Sequence, residues 1–176
     1  MCFKDISKFK NTSDYLSIFN GVLITDLIVI ALLLGGVIKS KVLKVWYKEL
    51  NLGAVLADIL ILFIGIILAR FLYPYIFSQY SLVKFIGLAV GIQILHDVLF
   101  YQLCLAIPQG KSKIIDIFKA YGKEVGYKAI VSDSAMMISS ILIASMLKGI
   151  GENANIIMMI VSVYLVPYAV YSTNLS

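Results

Sequence analysis

One histidine, one arginine, one tryptophan, two cysteines and three prolines in 176 residues leave few of the side chains on which metal, redox or hydrolytic chemistry is usually built. A zinc site takes three or four His and Cys ligands at short spacing, which one histidine and the isolated Cys2 and Cys104 do not supply. The same two cysteines make no disulfide framework and read as free thiols. No GxSxG or HExxH stretch occurs, so the chain is read as no enzyme, with no catalytic residue and no cofactor. A carboxylate-bound metal on Asp97, His96 and Asp133 is geometrically open, but no metal is expected. A TVGYG filter is also missing, which excludes a potassium channel of that design. Charge is scarce too: 14% of residues are charged against 61% hydrophobic, with a mean hydropathy of +0.95. That balance belongs in lipid rather than water.

What is present is a series of long apolar runs. At roughly 20 residues per crossing, runs at about 16–38, 52–73, 82–107, 127–147 and 156–171 make five spans, with no room for a water-soluble domain. The first run is too long, and too interrupted by Asn20 and Asp26, to be a cleaved signal peptide. Pro74 closes the second span and Pro108 the third. Two connections, 39–49 and 111–128, alternate lysines with apolar and aromatic residues and read as amphipathic helices at the membrane interface. The expected fold is therefore all-α: one polytopic transmembrane helical bundle, 1–176, of about five spans plus two interfacial amphipathic helices. No internal repeat stands out.

The net charge of +5 is clustered beside the spans, which suits anionic lipid headgroups at 39–49 and 111–128 and gives no nucleic-acid footprint. Nine lysines on that side against six basic residues on the other place both amphipathic loops and the C-terminus in the cytoplasm or the interior of a virion. Arg70, near a span end, is expected to snorkel to the headgroups. Tyr164, Tyr168 and Tyr171 form a stripe suited to an interfacial aromatic belt.

Ionisable residues at bilayer depth are expensive and normally face a protein interior or a watery cavity. Here they are Asp26, Asp58, the adjacent His96 and Asp97, and Asp133. Asp58 shares a helix face with Ala54, Gly65 and Ala69, and Asp133 with Met137, Ser140 and Ala144, small residues that let helices approach. Gln93, Asp97 and Tyr101 recur every four residues, with His96 beside them and a GxxxG at Gly87 and Gly91 on the other flank. At 1.5 Å per residue, His96 and Asp97 fall about 15 Å, and Asp58 and Asp133 about 10 Å, from the same side, whereas Asp26 enters from the opposite one. His96–Asp97 is a proton relay, a ligand-binding pair or a structural hydrogen bond. Asp58 and Asp133 are pathway residues or neutral hydrogen-bonding groups between helices.

The run His96-Asp97-Val98-Leu99-Phe100-Tyr101, then Ile107-Pro108-Gln109-Gly110, Asp116-Ile117-Phe118-Lys119-Ala120-Tyr121, Glu124-Val125-Gly126 and Asp133-Ser134-Ala135-Met136-Met137, resembles multi-pass membrane proteins of unassigned function encoded by large DNA viruses of algae and protists. The resemblance covers roughly the central third of the chain. It implies a viral or host membrane setting and carries no catalytic residue across.

Two functions follow from the polar interior. One is a small channel or transporter passing protons or small cations, with Asp58, His96, Asp97, Asp133, Gln93 and Tyr101 along the pathway and Asp26 near its other mouth. The alternative is a structural or assembly protein of a viral membrane, in which the same residues lock the helices. Either function allows a homo-oligomer.

Overall fold

Ser40 and Ser112 each stand in extended backbone before a helix, and their hydroxyls accept hydrogen bonds from Leu43 N at 3.1 Å and Ile115 N at 3.5 Å. A serine so placed satisfies one of the N–H groups that a helix start leaves without an internal partner. The caps launch the two amphipathic helices, α2 (Lys41–Leu50) and α5 (Lys113–Val125). Each then passes into a span through a single residue with positive φ, Asn51 at 51° and Gly126 at 58°.

In this computed structural model, which describes residues 3–172, the other helices are α1 (Asp14–Leu34), α3 (Leu52–Ile76), α4 (Leu82–Ala106), α6 (Tyr127–Leu147) and α7 (Glu152–Val170), with a 3-10 turn at Lys148–Ile150. The fold is an all-helical bundle. Five helices are long and apolar enough to cross a membrane, which makes the chain a helical membrane protein. Cys2 lies outside the described residues, and Cys104 is a free, buried thiol.

Three span limits differ from the sequence reading. The first span ends at Leu34, not 38, because Gly35 and Gly36, the latter at φ 72°, stop the helix while the chain is still apolar. Pro74 lies inside α3, where its missing N–H forfeits one bond near the end of the ladder. The fifth span starts at Glu152, before its apolar run, because buried Asn155 anchors that turn by donating to the carbonyls of Leu147 at 2.7 Å and Gly151 at 2.9 Å.

The chain does contain a repeat. The unit α1–α2–α3 runs the same course as α4–α5–α6: a span carrying an aspartate, Lys-Ser-Lys with the serine as cap, an amphipathic helix, a one-residue corner, and a second aspartate seven residues beyond that corner. Lys39-Ser40-Lys41 matches Lys111-Ser112-Lys113, and Lys48, Glu49, Asn51, Ala54 and Asp58 match Lys123, Glu124, Gly126, Ala129 and Asp133. Asp26 stands 13 residues before Lys39 and Asp97 14 before Lys111, so the two are one position apart in this register. Packing is reciprocal, with α1 on α6 as α4 is on α3, and α1 on α3 as α4 is on α6. This is the pattern of an approximate two-fold axis, which lies along the bundle because corresponding spans run in the same direction. Helix α7 stands outside the repeat and packs mainly on α1.

The amphipathic helices meet across that axis. Glu124 accepts from the N–H groups of Lys41 at 3.0 Å and Val42 at 2.9 Å, closing the start of α2, and Glu49 pairs with Lys113 Nζ at 2.7 Å at the start of α5. The Lys113 ammonium holds the Glu49 carboxyl below the usual carboxylate range. Because an N-terminal cap contributes about 1 kcal/mol, Glu124→Ala is expected to speed hydrogen exchange at Lys41 and Val42 about fivefold, with no change at the α4 amides.

At the opposite end the N-terminal segment folds back over the bundle. Arg70, fully buried, pairs with Asp14 at 3.3 Å and donates to the carbonyls of Lys8 and Asn11, with the Tyr15 ring 4.8 Å from the guanidinium. Lys148 pairs with Asp14 at 2.6 Å and donates to Asp5 O. Arg70 therefore does not snorkel: its charge is met by a carboxylate and backbone oxygens inside the protein. Seen from the α2/α5 end, this is the plugged end.

Candidate functional site: an acidic cavity between the repeats

Both corners turn the chain from the interface straight into a span, so each following aspartate sits six residues below its helix start, about 9 Å deep. Asp97, nine residues before the end of α4, lies about 14 Å from the same side. Asp58, Asp97 and Asp133 thus arrive from three helices at one cavity of about 400 Å³ beneath α2 and α5. Gln93 and His96 also line it. The rings of Trp46, Phe100, Phe118 and Tyr121 line it too, and at the mouth stand Lys39, Glu124 and Lys128, all exposed. Toward the middle of the bundle, buried Met137 packs against Gly65 so closely that a Cβ there would lie 2.9 Å from its methyl group.

The carboxyl groups differ in what they touch. Asp97 Oδ1 accepts from Gln93 Nε2 at 2.7 Å and lies 3.3 Å from His96 Nδ1, while its Oδ2 is buried without a hydrogen-bond partner. His96 is half-exposed and stacks on Phe100 at 5.6 Å. Asp58 Oδ2 accepts from Trp46 Nε1 at 3.1 Å and contacts the Tyr47 hydroxyl at 3.0 Å. Asp133 makes no hydrogen bond or ion pair among the described residues, and the charges of Asp97 and Asp58 act on it. Burial pushes the Tyr121 phenol up to about 12, with Asp133 and Asp58 adding to the effect.

Asp26 is in another place than the sequence suggested. It is eight residues before the end of α1, about 12 Å from the α2/α5 side, and so belongs to the same half of the bundle as the others. It does not line the cavity, because the Tyr47 hydroxyl covers it at 2.9 Å while also contacting Asp58. Burial pushes the Tyr47 phenol well above its usual range, and Asp58 and Asp26 push it further, so its proton stays in place. The single O–H satisfies one carboxyl group, and the second contact becomes a hydrogen bond when that carboxyl carries a proton. Asp26 therefore marks no second mouth.

Tyr101 is likewise outside the cavity. Its ring lies against Gly122 of α5, where an added Cβ would sit 2.5 Å from it, and the residue is partly exposed. The glycines of the GxxxG, Gly87 and Gly91, are exposed with nothing within 4 Å of an added Cβ, whereas the close helix contact is at Gly21 of α1. Among the described residues no group of three His, Cys, Asp or Glu side chains converges as metal ligands would, so the alternative of a metal on Asp97, His96 and Asp133 gains no support.

Trp46, Tyr47 and Glu124 were not foreseen as site residues. Trp46 falls in the amphipathic segment 39–49, and hydropathy marks an aromatic residue on such a helix without saying which way it turns. The repeat was the available signal, because Trp46 and Glu124 fall at matching places relative to Tyr121 and Glu49. Comparison of the chain with protein-family models, with curated proteins and with solved structures finds no match.

Proposed function

We propose that the protein is a small membrane transporter that takes up positively charged cargo, protons or small cations, in the cavity between its two repeats. The observation that carries this reading is the meeting of Asp58, Asp97 and Asp133 from α3, α4 and α6 in one cavity that is lined from one end of the bundle and packed shut below. Carboxyl groups placed at such depth are costly and, where structure alone is at stake, are bonded to partners. Asp133 has none, and Asp97 has one bare oxygen. Transporters built from parallel repeats hold their cargo near the midplane where the repeats meet, and expose it alternately to the two sides as the units rock. The plugged end argues for this over an open channel. In this reading the lysine-rich α2/α5 side faces the cytoplasm or a virion interior, and the membrane is a viral or host one.

The second reading, a structural protein of a viral membrane without transport, draws support from the two amphipathic helices and their basic residues, which suit anionic headgroups. Not all that charge is available: Lys113 is paired with Glu49 and Lys119 donates to Ile107 O.

Flux from purified protein in liposomes, followed with a pH dye and a membrane-potential dye, separates the two. Asp97→Asn and Asp133→Asn are expected to lower flux at least tenfold, and His96→Ala to lower it less, since His96 only flanks Asp97. Full flux in Asp97→Asn would remove that residue from the site. Folded protein that gives no flux above empty liposomes at any pH or voltage would leave the structural reading.

A further inference from the structure

The cavity is charged oppositely along its depth. Lys128 stands on α6 five residues before Asp133, about 7 Å nearer the mouth, and Lys39 flanks the mouth just ahead of the α2 cap. Glu124, the acidic group at the same level, is occupied by the N–H groups of Lys41 and Val42. Below them are Asp58, Asp97 and Asp133, and between the two levels are the faces and edges of Trp46, Phe100 and Phe118, with ring contacts of 4.8 and 5.0 Å.

A bare cation must pass two ammonium groups to reach the floor, and a bare anion meets three carboxyl groups once inside. A molecule with separated charges of both signs meets neither penalty. A volume of about 400 Å³ is that of a site for a small organic molecule, far larger than a dehydrated ion. The carboxyl groups come from three helices and share the cavity with aromatic rings, an arrangement that surrounds an ammonium and its methylene groups rather than coordinating a metal.

We infer that the cavity binds a small zwitterion, a primary ammonium joined through a short apolar spacer to a phosphate or carboxylate, with the ammonium at Asp97 and Asp133 and the anionic group at Lys39 and Lys128. The inference rests on the reading of the acidic floor as a site for a positive group, and replaces the small cation of that reading with an ammonium carried on a zwitterion. The ammonium pairs with the Asp97 and Asp133 carboxyl groups in the cavity wall. The spacer lies against Phe100 and Phe118, and the two lysines close over the anionic end. The same chemistry is offered by a free solute and by the headgroup of an aminophospholipid.

Trp46 is the chain's one tryptophan and stands in the cavity wall, so its emission reports occupancy directly. Protein in maltoside detergent is titrated with phosphoethanolamine, with ethanolamine, with inorganic phosphate and with dihexanoyl phosphatidylethanolamine, reading Trp46 fluorescence and thermal stabilisation together. Phosphoethanolamine is expected to bind saturably and at least tenfold more tightly than either ethanolamine or phosphate. Asp97→Asn should weaken it tenfold. Lys128→Gln should weaken it at least threefold while leaving ethanolamine unchanged or tighter. That opposite response is one that a merely structural lysine would not give. If the short-chain lipid binds and phosphoethanolamine does not, the cargo is a membrane headgroup; if phosphoethanolamine binds, it is a free solute. Ethanolamine binding as tightly as phosphoethanolamine would overturn the inference and leave a cation site. So would indifference of zwitterion binding to both Lys39→Gln and Lys128→Gln. A lack of response by both readouts to every probe would overturn it too, and cation flux in liposomes would then still support the broader reading.

Discussion

Asp14→Ala is expected to destabilise the protein by roughly 3–5 kcal/mol, the cost of removing one partner from a buried ion pair, read as a large drop in the thermal unfolding temperature in detergent. Asp14 is almost fully buried and, among the described residues, is the one carboxylate paired with both Arg70 and Lys148. Arg70 is at 0% exposure, and two of its nitrogens, Nε and Nη1, already have no hydrogen-bond partner among the described residues. Without Asp14 the guanidinium would be left with the Lys8 and Asn11 carbonyls and the Tyr15 ring. The loss would also spread, because Asp14 and Lys148 hold the folded-back segment that carries Asp5. Arg70→Ala should cost less, since Lys148 would still neutralise Asp14. The combination Asp14→Leu with Arg70→Met should recover much of the loss, because an apolar pair of similar volume leaves no buried charge unmatched. A change below 1 kcal/mol for Asp14→Ala would mean that water reaches this end of the bundle and the plug is open.

The second large effect concerns one hydrogen atom. Gly21→Ala should cost about 3 kcal/mol, at the upper end of what overpacking a well-filled core does. A Cβ on Gly21 would lie 2.5 Å from Ser140 O, 2.8 Å from Ala144 N and 2.9 Å from Ala144 Cβ. Two of these are backbone atoms of α6 and cannot turn aside as a side chain would, so α1 and α6 would have to separate. Gly87→Ala and Gly91→Ala are the controls: both positions open onto empty space, and replacing a helical glycine with alanine gains up to about 1 kcal/mol in an exposed site. The three substitutions are thus expected to split in sign, as measured by thermal unfolding of each variant. Equal losses at all three would show that Gly87 and Gly91 do form a helix contact, for instance with a second copy of the chain.

Much of the architecture was legible because hydropathy and helical period act locally. Five apolar runs, two amphipathic segments and the shared depth of Asp58, His96, Asp97 and Asp133 follow from positions counted along each run. What was not legible depends on contacts between distant segments. Asp26 was assigned to the wrong half because a span limit drawn from hydropathy runs on through Gly35 and Gly36, and because nothing local says that Tyr47 turns inward. Arg70 near a span end looks the same to a sequence reader whether lipid headgroups or Asp14 await it. The repeat stayed hidden for a different reason. Helix α2 has 10 residues and α5 has 13, so the matches before and after them fall at different spacings. The lipid-facing residues between the shared Lys, Glu and Asp positions need only be apolar, and so their identities drift.

The position of Tyr47 in one unit is held by Gly122 in the other. In the first unit the phenol reaches over Asp26 and seals it; in the second there is no side chain to do so, the ring of Tyr101 takes the vacated space, and Asp97 Oδ2 is left buried without a hydrogen-bond partner. One difference, a large residue against the smallest, thus leaves the two aspartates in different surroundings, Asp26 sealed in the scaffold and Asp97 in the wall of the cavity. The two positions are therefore not interchangeable: an aromatic residue introduced at Gly122 would have to displace the Tyr101 ring before it could cover Asp97, whereas trimming Tyr47 would uncover Asp26 at once.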